Sequence, residues 1–172
     1  MSIPLEQNAK LYNDDGSKEV NGTLYHQLVG RLNYLTTTKP DIAYSVSILS
    51  QFTANSYESH WKAAKKFLRY MNETLYFGIL YTDEFDVELV GFSDSNCTGN
   101  PDVRRSTSGY EFNLGSGIVS WSNKKQPIVS FSSTEDEYKA LTNATCESIW
   151  LRRILEDIGE NKRGPTSIKC DN

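Results

Sequence analysis

The stretch "TDEFD" at residues 82–86 separates two hydrophobic periods, and a chain that changes period has to build two kinds of structure. Ahead of it, apolar residues recur every three or four positions. In "NGTLYHQLVGRLNYL" the residues Tyr25, Leu28, Leu32 and Leu35 share a helical face, with Asn21 or Thr23 as cap. In "TTTKPDIAYSVSILSQF" Ile42, Val46, Leu49 and Phe52 form the stripe, Pro40 suits a first helical position and Asp41 favours the positive end of the helix dipole. In "SYESHWKAAKKFLRYM" the stripe is Trp61, Ala64, Leu68 and Met71, with Lys62, Lys65, Lys66 and Arg69 on another face. Behind the switch, "VELVGFSD", "SGYEFNLG" and "GIVSWSN" are short strand-like runs punctuated by glycine and by the polar loop "SNCTGNPDVRRST". "SSTEDEYKALTNATCESIWLRRILEDIG" then restores the helical period through Leu141, Ala144, Ser148, Leu151, Leu155 and Ile158, and "TSIKCDN" alternates as a last strand.

This pattern predicts an α/β chain in three parts: a loosely held lead-in over 1–20, a helical segment over 21–82 forming a small bundle, and a mixed-sheet domain over 83–172. The sheet is expected to hold three antiparallel strands within Val87–Asn123, a helix over 134–158, and a strand over 166–171 parallel to the first, because a helical crossover returns the chain in the same direction.

Composition narrows the chemistry. Aromatic residues at 12% and intermixed charges describe a packed chain rather than a disordered one. No stretch reads as a membrane span, and the N-terminus lacks the basic start and apolar run of a secretory signal, so an intracellular place, cytoplasm or nucleus, is expected. Cys97, Cys146 and Cys170 are widely spaced and odd in number, which speaks against a zinc site or a disulfide framework. A net charge of −4 excludes binding of polyanions through bulk charge and leaves only a local basic face.

His26 and His60 both lie in the helical half without a nucleophile motif beside them, so Ser-His-Asp chemistry is set aside. Carboxylates remain. Asp94 shares a strand face with Val90 and Phe92, where an acid marks either a cation or an Asx turn into the loop. Glu137, four residues before Leu141, points toward the sheet, yet Thr134-x-x-Glu137 also fits a capping box. Singly, the structural readings prevail. Together, the first strand, the helix start and the last strand are elements this topology can set side by side, and three crowded carboxylates, Asp94, Glu137 and Asp171, call for a hard divalent cation.

The order strand-Asp, two strands, helix-Glu, strand-Asp resembles the ribonuclease H fold. The strings "GFSDSNCTGNPDVRRSTSGYEFNLGSGIVSWSNKKQPIVSFSSTEDEYKAL" and "CDN" resemble the ribonuclease H region of Ty1/copia-type retrotransposon Pol polyproteins. Upstream, "LVGRLNYLTTTKPDIAYSVSILSQF" and "HWKAAKKFLRYM" resemble the segment connecting reverse transcriptase to ribonuclease H there, so the likeness runs from about Tyr25 to Asn172.

The resemblance implies hydrolysis of the RNA strand of an RNA–DNA hybrid by a two-metal mechanism, with Mg2+, or Mn2+ in its place, held by Asp94, Glu137 and Asp171. Arg104, Arg105, Lys124 and Lys125 would grip the hybrid backbone or remain ordinary solvated charge, with Trp121 packed nearby, and the reverse transcriptase part of the same polyprotein is an implied partner. Members of the family continue past "CDN" into a fifth strand and a helix with a fourth carboxylate. Here the sequence given stops at Asn172, which implies weak activity and self-association through the uncovered edge. "SDSNCTGN" also stands where relatives commonly read "SDADWAGD". The alternative is an inactive remnant that keeps the fold as a binding or interaction module.

Overall fold

The computed structural model describes residues 4–5, 11–82, 88–96, 105–160 and 164–170. These fall into two compact units, one ending at Gly78 and the other beginning at Ile79.

The first unit is helical. Its elements are α1 (Gly22–Leu35), a 3-10 turn at Pro40–Ile42, α2 (Ala43–Ser50) and α3 (Glu58–Glu73). Asn21 caps α1 by accepting from the Leu24 N–H at 3.1 Å, which satisfies one of the open donors of the first turn. The expected stripe Ile42, Val46, Leu49 and Phe52 is buried throughout. In the other two stripes Tyr25, Leu32 and Ala64 are buried as expected and Leu28, Trp61 and Met71 are partly buried against the same core, while the ends of the stripes are displaced. Tyr25, Val29 and Leu32 point inward on α1 while Leu35 is 37% exposed, and α3 buries His60, Ala64, Phe67 and Tyr70 while Leu68 is 40% exposed. Periodicity could not choose between adjacent apolar positions such as Leu28 and Val29, or Phe67 and Leu68. Tyr25 Oη donates to the Leu49 carbonyl at 2.9 Å and Tyr70 Oη to Asp41 Oδ2 at 3.0 Å, so each ring is buried with its hydroxyl satisfied.

The second unit is α/β. It holds β1 (Leu89–Asn96), β2 (Thr107–Leu114), β3 (Gly117–Lys125), α4 (Ser133–Asp157) and β4 (Ser167–Cys170). The strand order is β3-β2-β1-β4. β1 and β2, and β2 and β3, pair antiparallel, whereas β4 runs parallel to β1 from Val90↔Ser167 to Ser93↔Cys170. Helix α4 supplies the crossover that a parallel return requires.

One face of the sheet packs on α4. Its core joins Leu89 and Phe112 to Ala144, Leu151 and Leu155, with Tyr110, Leu114, Val119 and Ile168 around them. Gly91 sits directly under Phe112, since a Cβ there would lie 2.5 Å from a ring carbon. The buried face of α4 runs through Asp136, Ala140, Ala144, Ser148, Leu151 and Leu155, so Leu141 is pushed to the margin and Ile158 is 68% exposed. The helix ends at Gly159, whose φ of 87° lets its N–H reach the Glu156 carbonyl at 3.0 Å and the Glu160 N–H reach that of Leu155 at 2.8 Å. Among the described residues no helix is long and apolar enough to cross a membrane.

Candidate active site

The start of α4 carries three acids in a row, and each meets a different partner. Ser132 caps the helix by accepting from the Glu135 N–H at 3.2 Å, and Glu135 Oε2 accepts from the Phe131 N–H at 2.8 Å. The N-cap is therefore Ser132, with Glu135 reaching back to the Phe131 N–H, two residues earlier than the expected capping box of Thr134 with Glu137. Glu135 also pairs with Lys139 at 2.8 Å, and its carboxyl is held below the ordinary carboxylate range by that hydrogen bond first and by the Phe131 N–H second.

Asp136 is 6% exposed and points into the end of the sheet, where Ser106 Oγ donates to its Oδ2 at 2.5 Å. Gln126 Nε2 bonds both the Asp136 carbonyl, at 3.2 Å, and Ser108 Oγ, at 2.9 Å. The Gln126 N–H donates to the Ser106 carbonyl at 2.8 Å. This network ties the first turn of α4 to the ends of β2 and β3.

Glu137, released from capping, turns to β1. Ser95 Oγ donates to its Oε1 at 2.8 Å. Strand alternation explains why Ser95 rather than Asp94 makes this contact. Leu89 faces α4, the β1–β2 register is unbroken from Leu89↔Leu114 to Asn96↔Thr107, and odd-numbered residues of β1 therefore share the α4 side. Asp94, half-buried opposite Gly109, lies with Val90 and Phe92 on the other face. An ion shared by Asp94 and Glu137 has to be met at the margin of the sheet.

The basic residues are divided by the same alternation. Lys125 pairs with Thr107 on the Asp94 face, and its ammonium pKa is lowered by burial first and by the charge of Arg105 second. Trp121 shares that face in a cross-strand row with Glu111 and Phe92, and Lys169 lies over the Phe92 ring at 5.4 Å. Lys124 points the other way, into a groove of about 280 Å³ with Ser108, Tyr110, Ser122, Asn143, Cys146 and Glu147. Arg104 and Asp171 lie outside the described residues. Among the described residues no three His, Cys, Asp or Glu side chains gather closely enough to hold a metal. The oxygen donors of Asp94 and Glu137 suit a hard cation such as Mg2+ in chemical type.

Ser95 and Asp136 are not among the acids and bases that the sequence pattern points to. Alternation through "SDSN" contains the signal for Ser95, since a residue beside a strand acid faces the opposite layer. Nothing comparable marks Asp136, whose burial depends on where β2 and β3 end.

Compared with known proteins, the chain is similar over all 172 residues to the retrovirus-related Pol polyproteins from transposons RE2 and RE1 of Arabidopsis thaliana, at 37% and 38% identity. The chain is homologous to a region of the Pol polyproteins of copia-type retrotransposons. It spans 12% of the length of each of those two polyproteins. It is also 48% identical over 128 residues, 74% of this chain and 90% of the relative, to a protein named secreted RxLR effector protein 161 of Plasmopara viticola. No family model matches the chain, and no solved structure matches it.

Proposed function

We propose that the second unit is a ribonuclease H-like domain that hydrolyses the RNA strand of RNA–DNA hybrids, using Asp94, Glu137 and Asp171 as ligands of Mg2+ or Mn2+. The observation that carries the reading is the Ser95–Glu137 hydrogen bond of 2.8 Å, which joins the helix acid to the strand residue beside Asp94. It occurs in a sheet of three antiparallel strands with a parallel fourth reached through α4.

In this reaction water attacks the scissile phosphorus and the bond to the 3' oxygen breaks, leaving a 3' hydroxyl and a 5' phosphate. The bound ions, when present, supply an activated water and neutralise the leaving oxygen. The chain itself does the positioning. Asp94 and Glu137 present negative oxygens from two layers, and Lys125 and Arg105, close enough to repel one another, offer cationic contacts to the phosphates of a hybrid on the Asp94 face. Trp121 adds an aromatic surface on that face. The reverse transcriptase part of such a polyprotein is the proposed partner, and the interior of the cell, where hybrids form, the proposed place.

The test is cleavage of a labelled RNA–DNA hybrid by the 172-residue chain in Mg2+ and in Mn2+. Slow, metal-dependent cutting of the RNA strand that is abolished by Asp94→Asn and by Glu137→Gln is expected. Cutting that persists in both variants, or no cutting with either metal, refutes the assignment, and the second outcome favours a binding module.

A further inference from the structure

Of the three acids at the start of α4, Glu137 is the one that meets β1 itself, through the neutral hydroxyl of Ser95. Glu135 is held by Lys139 and by the Phe131 N–H, and Asp136 by Ser106 at the end of the sheet. A cationic partner would neutralise Glu137, whereas a hydroxyl orients it and leaves its charge in place. The donor is also rigidly placed. Ser95 stands within β1, paired with Ser108 of β2, so its Oγ is fixed by the sheet while the long side chain of Glu137 is free to rotate without it. With Oε1 engaged at 2.8 Å, Oε2 remains as the second acceptor of a carboxylate that the sheet holds in place.

We propose that Ser95 is a positioning residue that fixes the Glu137 carboxylate for ligand binding at the β1–α4 junction. The inference rests on Glu137 being a site carboxylate. It goes beyond that reading by assigning the orientation of Glu137 to a residue that itself touches neither metal nor substrate.

The decisive experiment has two arms. A double-mutant cycle in urea unfolding with Ser95→Ala, Glu137→Ala and the pair reports the contact whether or not the chain cuts. Coupling of at least about threefold in the unfolding equilibrium constant is expected, as for residues in direct contact. In the second arm, Ser95→Ala lowers kcat on the hybrid by roughly tenfold with KM unchanged and weakens Mn2+ binding measured by electron paramagnetic resonance, because a carboxylate out of place costs rate without removing substrate contacts. Ser95→Thr, which keeps the hydroxyl, retains both values. Absence of coupling overturns the proposal, as does coupling with unaltered Mn2+ affinity and kcat, which reduces the contact to a structural one. If the wild-type chain neither binds Mn2+ nor cuts, the nuclease reading falls and the stability cycle alone decides on the contact.

Discussion

Ser106→Ala removes one hydroxyl from the end of the sheet and should be among the most damaging single-atom deletions in the second unit. Ser106 is 2% exposed, and its Oγ–H is the donor to Asp136 Oδ2. Oδ1 of Asp136 is buried without a hydrogen-bond partner among the described residues. The variant would leave both carboxylate oxygens buried and unpaired. Loss of a hydrogen bond to a charged group costs about 1.5–3 kcal/mol when the charge is left behind. The lost packing of a single oxygen adds little, so the desolvated carboxylate dominates. For a unit of this size, 1 kcal/mol corresponds to about 4–8 °C in Tm, so a fall of roughly 10–20 °C is expected. Thermal unfolding followed through Trp121 and Trp150, which both lie in this unit, measures it. The double variant Ser106→Ala with Asp136→Ala removes charge and donor together, and it should be less destabilised than the two single changes added, by about 1–2 kcal/mol. A Ser106→Ala cost below about 0.5 kcal/mol, or strict additivity in the double variant, refutes the claim that this pair anchors α4.

Other changes test separate parts of the molecule. Gly91→Ala would place a methyl carbon 2.5 Å from the ring of Phe112, which is fully buried, so a loss of about 1–3 kcal/mol in urea unfolding is expected, against almost none for Gly30→Ala, where nothing lies within 4 Å. His60, buried with Nδ1 accepting from the Tyr57 N–H at 3.0 Å and Nε2 at 2.9 Å from the Tyr12 carbonyl, has its pKa lowered by burial first, against the opposing pull of Tyr12 and Asp15. A depressed folded pKa means that the unfolded chain binds the proton more readily. The stability of the helical unit should therefore be full above about pH 6.5 and fall as the pH drops through the folded value, a slope that His60→Gln removes in unfolding followed through Trp61. Lys125→Ala should weaken hybrid binding and reduce its salt slope by about 1, while Lys124→Ala, on the α4 side of the sheet, should leave both nearly unchanged; equal effects would refute the division of the two lysines by face.

The order of elements was legible because it depends on period alone, and the period changes sharply across "TDEFD". Periodicity placed the stripe Ile42, Val46, Leu49 and Phe52 correctly even with Ile48 beside Leu49, whereas at Leu28 beside Val29 and Phe67 beside Leu68 it chose the less buried neighbour, in helices where the hydroxyls of Tyr25 and Tyr70 find acceptors. The two-residue shift of the cap at α4 follows the same logic. "SSTEDE" offers Ser132 and Thr134 as caps with Glu135 and Glu137 as partners. Local chemistry favours neither pair, but Lys139, one turn on, holds Glu135 at 2.8 Å and so assigns it to the cap.

That assignment is what makes Glu137 available. Had Thr134 capped the helix, Glu137 would have turned back to the backbone N–H groups of the first turn, and no carboxylate of α4 would have faced β1. Its release leaves a charged side chain beside the sheet, where an acid needs a donor. Ser95 provides one without a countercharge, because alternation in β1 brings the residue next to Asp94 to the α4 side. The cap, the strand register and the candidate site are therefore one arrangement. Lys139→Met tests the linkage from its far end. It removes the ion pair with Glu135 and the Lys139 Nζ bond to Ser130 Oγ at 2.7 Å while leaving every residue of the candidate site in place. The salt bridge is partly exposed and worth only about 0.3–0.5 kcal/mol, so stability should change little. If the cap then divides between Glu135 and Glu137, the coupling of Ser95 to Glu137 should shrink in the double-mutant cycle. Undiminished coupling in the Lys139→Met background would show that the register of β1, and not the cap of α4, determines where Glu137 points.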